Sequence, residues 1–116
     1  MKFTIYGHCQ SKANSRRWTG KYFIKSKKAL EFEKSFLQQM ATRVLHGEDI
    51  PSFEGDVCVT CTIYYPTRRN DLDPSLIFDI MEKAGIYKND RQIKEQHIYH
   101  GLDKEKPRVE IEVKEM

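Results

Sequence analysis

Residues 67 to 80 read TRRNDLDPSLIFDI, with Asp71 and Asp73 one residue apart, behind Arg68 and Arg69 and directly ahead of Pro74. Two carboxylates at that spacing on an extended segment point the same way, so both can reach one hard cation such as Mg2+, which takes oxygen ligands and keeps several waters. Asp90, in IYKNDRQI, offers a third carboxylate from the loop after the next helix. The same residues also fit a purely local grammar, in which Asp73 caps a helix beginning at Pro74 while Asp71 and Asp90 are turn residues. Both readings stand on these residues alone.

Two other constellations have chemical potential. Lys12, Arg16, Arg17, Trp18, Lys21 and Tyr22 mix cations with aromatic faces, a combination that contacts phosphates and stacks on unpaired bases; a solvated basic loop is the alternative. Lys25, Lys27 and Lys28 carry the patch to the start of a helix, where ammonium groups oppose the helix dipole and a phosphate partner would offset the cost. Cys58-x-x-Cys61 and His97-x-x-His100 have the donor types of a structural zinc site. Their spacing argues against one, because residues three apart in a strand face opposite sides and neither pair converges on an ion.

The elements that position these residues follow from periodicity. KFTIY at 2–6 alternates as a first strand, and GHCQSKANSRRWTGKYF follows as a basic loop. Beyond Ser26, a plausible N-cap, Ala29, Phe36, Leu37, Met40, Ala41 and Val44 mark the buried stripe of a helix that Gly47 stops. DVCVTCTIYY puts Val57, Val59, Cys61, Ile63 and Tyr65 on one side of a strand. Asp73 and Pro74 open a short second helix with Ile77, Ile80, Met81 and Ala84 on its inner face and Gly85 at its end. RQIKEQHIYH and RVEIEVKE read as strands joined by GLDKEKP. The spacing therefore predicts one α+β domain over 1–116, ordered β-α-β-α-β-β, a mixed β-sheet with two helices packed on it.

Composition narrows the class. With 39% hydrophobic and 32% charged residues the chain suits a folded soluble protein rather than a disordered one. Its 20 Lys and Arg against 17 Asp and Glu leave a net charge of only +3, so the placement of charge matters more than its total. Residues 11–28 are rich in Lys and Arg and free of acids. No apolar run suits a signal peptide or a membrane span, and three cysteines, an odd number, fit free thiols in a reducing compartment, so a cytoplasmic location is expected.

The run RRNDLDPSLIFDIMEKAGIYKNDRQIKEQHI resembles the RusA family of Holliday junction resolvases, small endonucleases often carried by phages and prophages. The resemblance rests on Arg68 and Arg69, Asp71 and Asp73, Asp79, Ala84 and Gly85, Asn89 and Asp90, and Gln92 in that order, together with the basic SKANSRR segment. It implies a Mg2+-dependent endodeoxyribonuclease with Asp71, Asp73 and Asp90 as catalytic metal ligands and Asp79 in support. Lys12, Arg16, Arg17, Arg68 and Arg69 would hold the backbone of branched DNA. Two symmetric nicks in a four-way junction call for two equivalent sites, hence a homodimer. Two departures stand out. Pro74, Ser75, Leu76 and Ile77 occupy the place where the best-known members have Asn-x-x-Lys, and Asn89 replaces an acid. Lys94, expected on one strand face with Asp90 and Gln92, is the candidate for the missing cation. An endonuclease for other branched DNA and a non-catalytic DNA-binding module are the alternatives.

Overall fold

The computed structural model describes residues 1–11, 16–18 and 23–116, with side chains at 1–11 and 26–116. Its elements are β1 (Lys2–Tyr6), β2 (Arg16–Trp18), β3 (Phe23–Lys25), α1 (Lys27–Leu45), β4 (Val57–Tyr65), α2 (Ser75–Lys83), β5 (Ile93–Leu102) and β6 (Arg108–Glu115). Four strands form a mixed sheet in the order β1-β6-β4-β5. β6 runs antiparallel to both β1 and β4, whereas β5 runs parallel to β4. A parallel neighbour cannot be reached by a tight hairpin, and α2 supplies the crossover. The β-α-β-α-β-β order is as the periodicity predicts. One addition lies in the segment read as a loop, where β2 and β3 pair antiparallel, with Arg17 opposite Ile24.

β4 is the centre of the core. Val57, Val59, Cys61, Ile63 and Tyr65 are all buried, as their alternation requires, and the intervening residues face the open side of the sheet. Ser26 caps α1 by accepting the Ala29 amide at 3.2 Å, and the helix ends before Gly47 at φ +86°. Its buried stripe is Ala29, Phe32, Phe36 and Met40. The expectation of Ala41 and Val44 inside is corrected: Ala41 is exposed and Val44 is 54% exposed. Nineteen residues make a helix of about 28 Å, longer than a five-residue strand of about 17 Å, and the last turn of α1 is largely in solvent.

α2 begins at Ser75, one residue beyond the expected start, and buries Leu76, Ile77, Ile80 and Met81 before Gly85 turns the chain at φ +80°. The next expectation is also corrected. Arg91 and Gln92 do not open a strand but join Asp90 in a 3-10 turn closed by a capping box. The Asn89 side chain accepts the Arg91 amide at 2.8 Å, and Gln92 Oε1 accepts the amides of Lys88 at 2.9 Å and Asn89 at 3.2 Å. Gln92 Nε2 donates to the carbonyls of Phe53 and Gly55, both at 2.8 Å, tying the turn to the approach to β4. Asn89 and Gln92 thus have structural work of their own. β5 starts at Ile93 and contains an irregularity at once: Val57 pairs with Ile93, but Cys58 pairs with Glu95, leaving Lys94 as the extra residue of a bulge.

Candidate active site

Asp71 and Asp73 lie where the chain leaves the C-terminal end of β4, in the crossover to α2, a position where parallel strands commonly present functional loops. The loop is held by Tyr65, the last residue of β4. Its hydroxyl donates to the Asp71 carbonyl at 3.1 Å and accepts the Asp73 amide at 3.3 Å. Burial, together with the charges of Cys9, Asp73 and Asp71, pushes the Tyr65 phenol up to about 12 against the lowering effect of its bond to the Asp73 backbone. Tyr65 is therefore a neutral donor at any physiological pH. His8 meets its ring edge-on at 6.4 Å and His100 lies tilted at 4.7 Å. His8 Nε2 also reaches Asn70 Nδ2 at 3.3 Å, and His100 Nε2 reaches the Asn70 carbonyl at 3.1 Å. Burial, and then the charge of Lys28, holds His8 below its usual range, which favours the neutral ring beside Asn70.

The two carboxylates differ. Asp71 is exposed, whereas Asp73 is half-buried, its Oδ2 accepting from Ser11 Oγ at 3.0 Å and its Oδ1 from the Ser75 amide at 2.9 Å. The second bond is the expected helix-start contact, displaced by one residue. Each carboxylate oxygen has two lone pairs, so a hydrogen bond and a bond to a cation are compatible at the same atom. The donor set, oxygen only and anionic, matches the preference of Mg2+. Ser11 immediately precedes Lys12, so the basic segment starts against the Asp73 carboxylate. Lys12 itself lies outside the described residues, and of Arg16 and Arg17 only the backbone pairing in β2 is described. Arg68 and Arg69 stand exposed in the turn before Asp71, where Thr67 Oγ1 accepts the Arg69 amide at 3.3 Å and donates to Asn70 Oδ1 at 3.0 Å.

Asp90 belongs to a different neighbourhood. Its amide donates to Glu82 Oε1 at 2.9 Å, near the C-terminal end of α2, while Asp73 sits at the N-terminal end of the same helix. Ser75 and Glu82 are separated by about 10 Å of helix at ~1.5 Å per residue. The electrostatics divide in the same way: Tyr65 senses Asp73 and Asp71, while Tyr87, raised chiefly by burial, senses Asp90, Glu82 and Asp79. Asp79 lies on α2 one turn beyond Ser75, half-buried, and its charge reaches Tyr87. Among the described residues Asp71, Asp73 and Asp90 do not converge within one chain, and the trio that does converge is Cys58, Glu95 and His97.

The strand-face argument for Lys94 is also corrected. Asp90 and Gln92 lie in the 3-10 turn and Lys94 in the bulge, so the period-two relation among them does not exist. Sequence reasoning in turn missed Tyr65, Ser11 and Glu82 as supports of the aspartates. For Tyr65 a signal was available, since a tyrosine buried at a strand end needs a partner for its hydroxyl.

Known proteins with this sequence pattern point the same way. The family model described as Endodeoxyribonuclease RusA matches residues 7–114, so the chain belongs to that family. The protein named crossover junction endodeoxyribonuclease RusA from Aquifex aeolicus (strain VF5) is 39% identical over 70 residues. That match covers 53% of this chain and 56% of the relative, so the chain spans little more than half the relative's length.

Proposed function

We propose that the chain is a Mg2+-dependent, structure-specific endodeoxyribonuclease that resolves Holliday junctions by paired nicks, with 1–116 as one endonuclease domain working as a homodimer. The observation that carries this reading is the Asp71–Asp73 loop, fixed by Tyr65 and Ser11 at the end of β4, in a chain of the RusA family. A bound divalent cation would offset charge on the scissile phosphate and make an attacking water more acidic. Asp71 and Asp73 would hold that ion, and Tyr65 would keep their backbone from relaxing when phosphate approaches. Arg68 and Arg69, with Lys12, Arg16 and Arg17 of the basic segment, would hold the DNA backbone on either side. Asp79 and Lys94 are not needed in this scheme.

Asp90 enters the scheme through the dimer. Ligands of one Mg2+ lie within about 4 Å of one another, each ~2.1 Å from the ion, and among the described residues the carboxylates of Asp71, Asp73 and Asp90 are not gathered that closely. Asp90 would therefore complete the ion's shell from the second copy, which makes dimerisation a condition of catalysis as well as of symmetry. Mixing two inactive variants tests this. When Asp73→Asn and Asp90→Asn chains are unfolded and refolded together, half the dimers are mixed and each has one of its two sites intact. About one quarter of wild-type nicking is expected, as single nicks without paired resolution. Activity no higher than that of either variant alone would reject the shared site.

A further inference from the structure

We infer that Cys58, Glu95 and His97 form a second metal site, specific for zinc-class cations and separate from the aspartates at the other end of β4. The three ligand atoms, a thiol sulfur, a carboxylate oxygen and an imidazole nitrogen, lie within 4.8 Å of one another. Their convergence is a product of the bulge. Cys58 pairs with Glu95 instead of Lys94 because one residue of β5 is skipped, and in a strand a shift of one residue moves every side chain to the opposite face. With that shift Glu95 and His97, two residues apart, both stand on the open face beside Cys58; in unbroken register they would face the helices.

Two of the three groups are already in contact and the third lies beside them. His97 Nε2 lies 3.0 Å from Glu95 Oε1, and the Cys58 sulfur stands within 4.8 Å of both groups. From the neighbouring strand the facing charged groups are Lys114, paired across from Cys58, and Glu112. Lys114 Nζ lies 3.2 Å from Glu112 Oε1, and Glu112 also holds Lys2 Nζ at 3.2 Å. The donor set is decisive for the kind of ion. One sulfur, one nitrogen and one carboxylate oxygen suit Zn2+ or Co2+ in tetrahedral geometry with water in the fourth position, and suit Mg2+ poorly. Binding releases the Cys58 proton to solvent as the thiolate takes the metal. The ion would tie the bulged start of β5 to β4, a few residues after the turn that bears Asp90.

Co2+ serves as the probe. Titrated into the reduced, chelator-stripped full chain, it is expected to bind one per chain, with a near-ultraviolet thiolate charge-transfer band and the visible bands of tetrahedral cobalt, both lost on adding Zn2+. Cys58→Ser should remove the charge-transfer band. Glu95→Gln and His97→Gln should weaken apparent binding by about 100-fold or more, since losing a direct ligand costs at least what losing an outer hydrogen-bond partner does at its upper end. The Asp71→Asn and Asp73→Asn variants, which disable the proposed nuclease site, should keep the band, so the two sites stand or fall separately. Thermal melting of the wild type should rise with Zn2+ and stay unchanged in Cys58→Ser, which also reports whether that variant folds. Absence of the band in the wild type, its survival in Cys58→Ser or its loss in Asp73→Asn would each overturn the site.

Discussion

Asp73→Asn is expected to lower Mg2+-dependent cleavage by roughly 10³-fold or more while leaving DNA binding within about threefold of wild type. The substitution keeps the side chain's shape and the oxygen that accepts the Ser75 amide, and the new amide can face the Ser11 hydroxyl, so the loop should hold its place. What it removes is the negative charge. A loss of that size is ~4 kcal/mol of barrier at ~1.36 kcal/mol per tenfold, within the reach of an anionic metal ligand and beyond that of a helix cap, which is worth about 1 kcal/mol of stability. Binding is expected to survive because phosphate contacts come from Arg68, Arg69 and the basic segment. The measurement is single-turnover cleavage at saturating protein and Mg2+, with a urea melt beside it. Near-normal turnover would return Asp73 to the role of a capping residue.

The largest effect on stability is expected at Phe36. Its side chain is fully buried in α1 and meets Phe3 of β1 and Phe32 edge to face, each with ring centroids 6.1 Å apart. Truncating such a residue loses its transfer free energy and leaves a cavity, together about 3–5 kcal/mol, against a total stability for a domain of this size of about 6–17 kcal/mol. Phe36→Ala should therefore lower the urea midpoint substantially at unchanged slope. A change under about 1 kcal/mol would mean that α1 does not pack on the sheet through this face.

Much of this was legible because certain residues answer to one constraint only. In β4 every second residue faces the core, and five apolar residues in alternation leave no other register. Ser26 and Gly47 mark the limits of α1 by backbone requirements that operate locally. The stripe of α1 was harder, because Ala41 and Val44 continue the apolar pattern yet fall on the side of the helix turned from the core, while Phe32, Phe36 and Met40 face it. The aspartates show the same division. Asp71 and Asp73 were recognisable from their spacing and their place after a strand, but the hydroxyl that holds them, on Tyr65, acts across six and eight residues. Asp90 was recognisable as a loop residue, but the strand expected to begin at Arg91 begins at Ile93, since the Asn89–Gln92 capping box holds Asp90–Gln92 in a turn. Cys58 and His97 stand out in the sequence as zinc-type donors together with Cys61 and His100, but their convergence with Glu95 instead could not be read from sequence, because it depends on a one-residue bulge that alternation alone does not reveal.

The most direct test of the central claim is to incubate the pure protein with end-labelled four-way, flap and linear duplex DNA, in Mg2+ and in chelator. The account predicts symmetrically paired nicks in the four-way junction with Mg2+, little cleavage of linear duplex, and none of any substrate with chelator. Stable junction binding without cleavage at any Mg2+ concentration, or cleavage that persists undiminished in chelator, would contradict it.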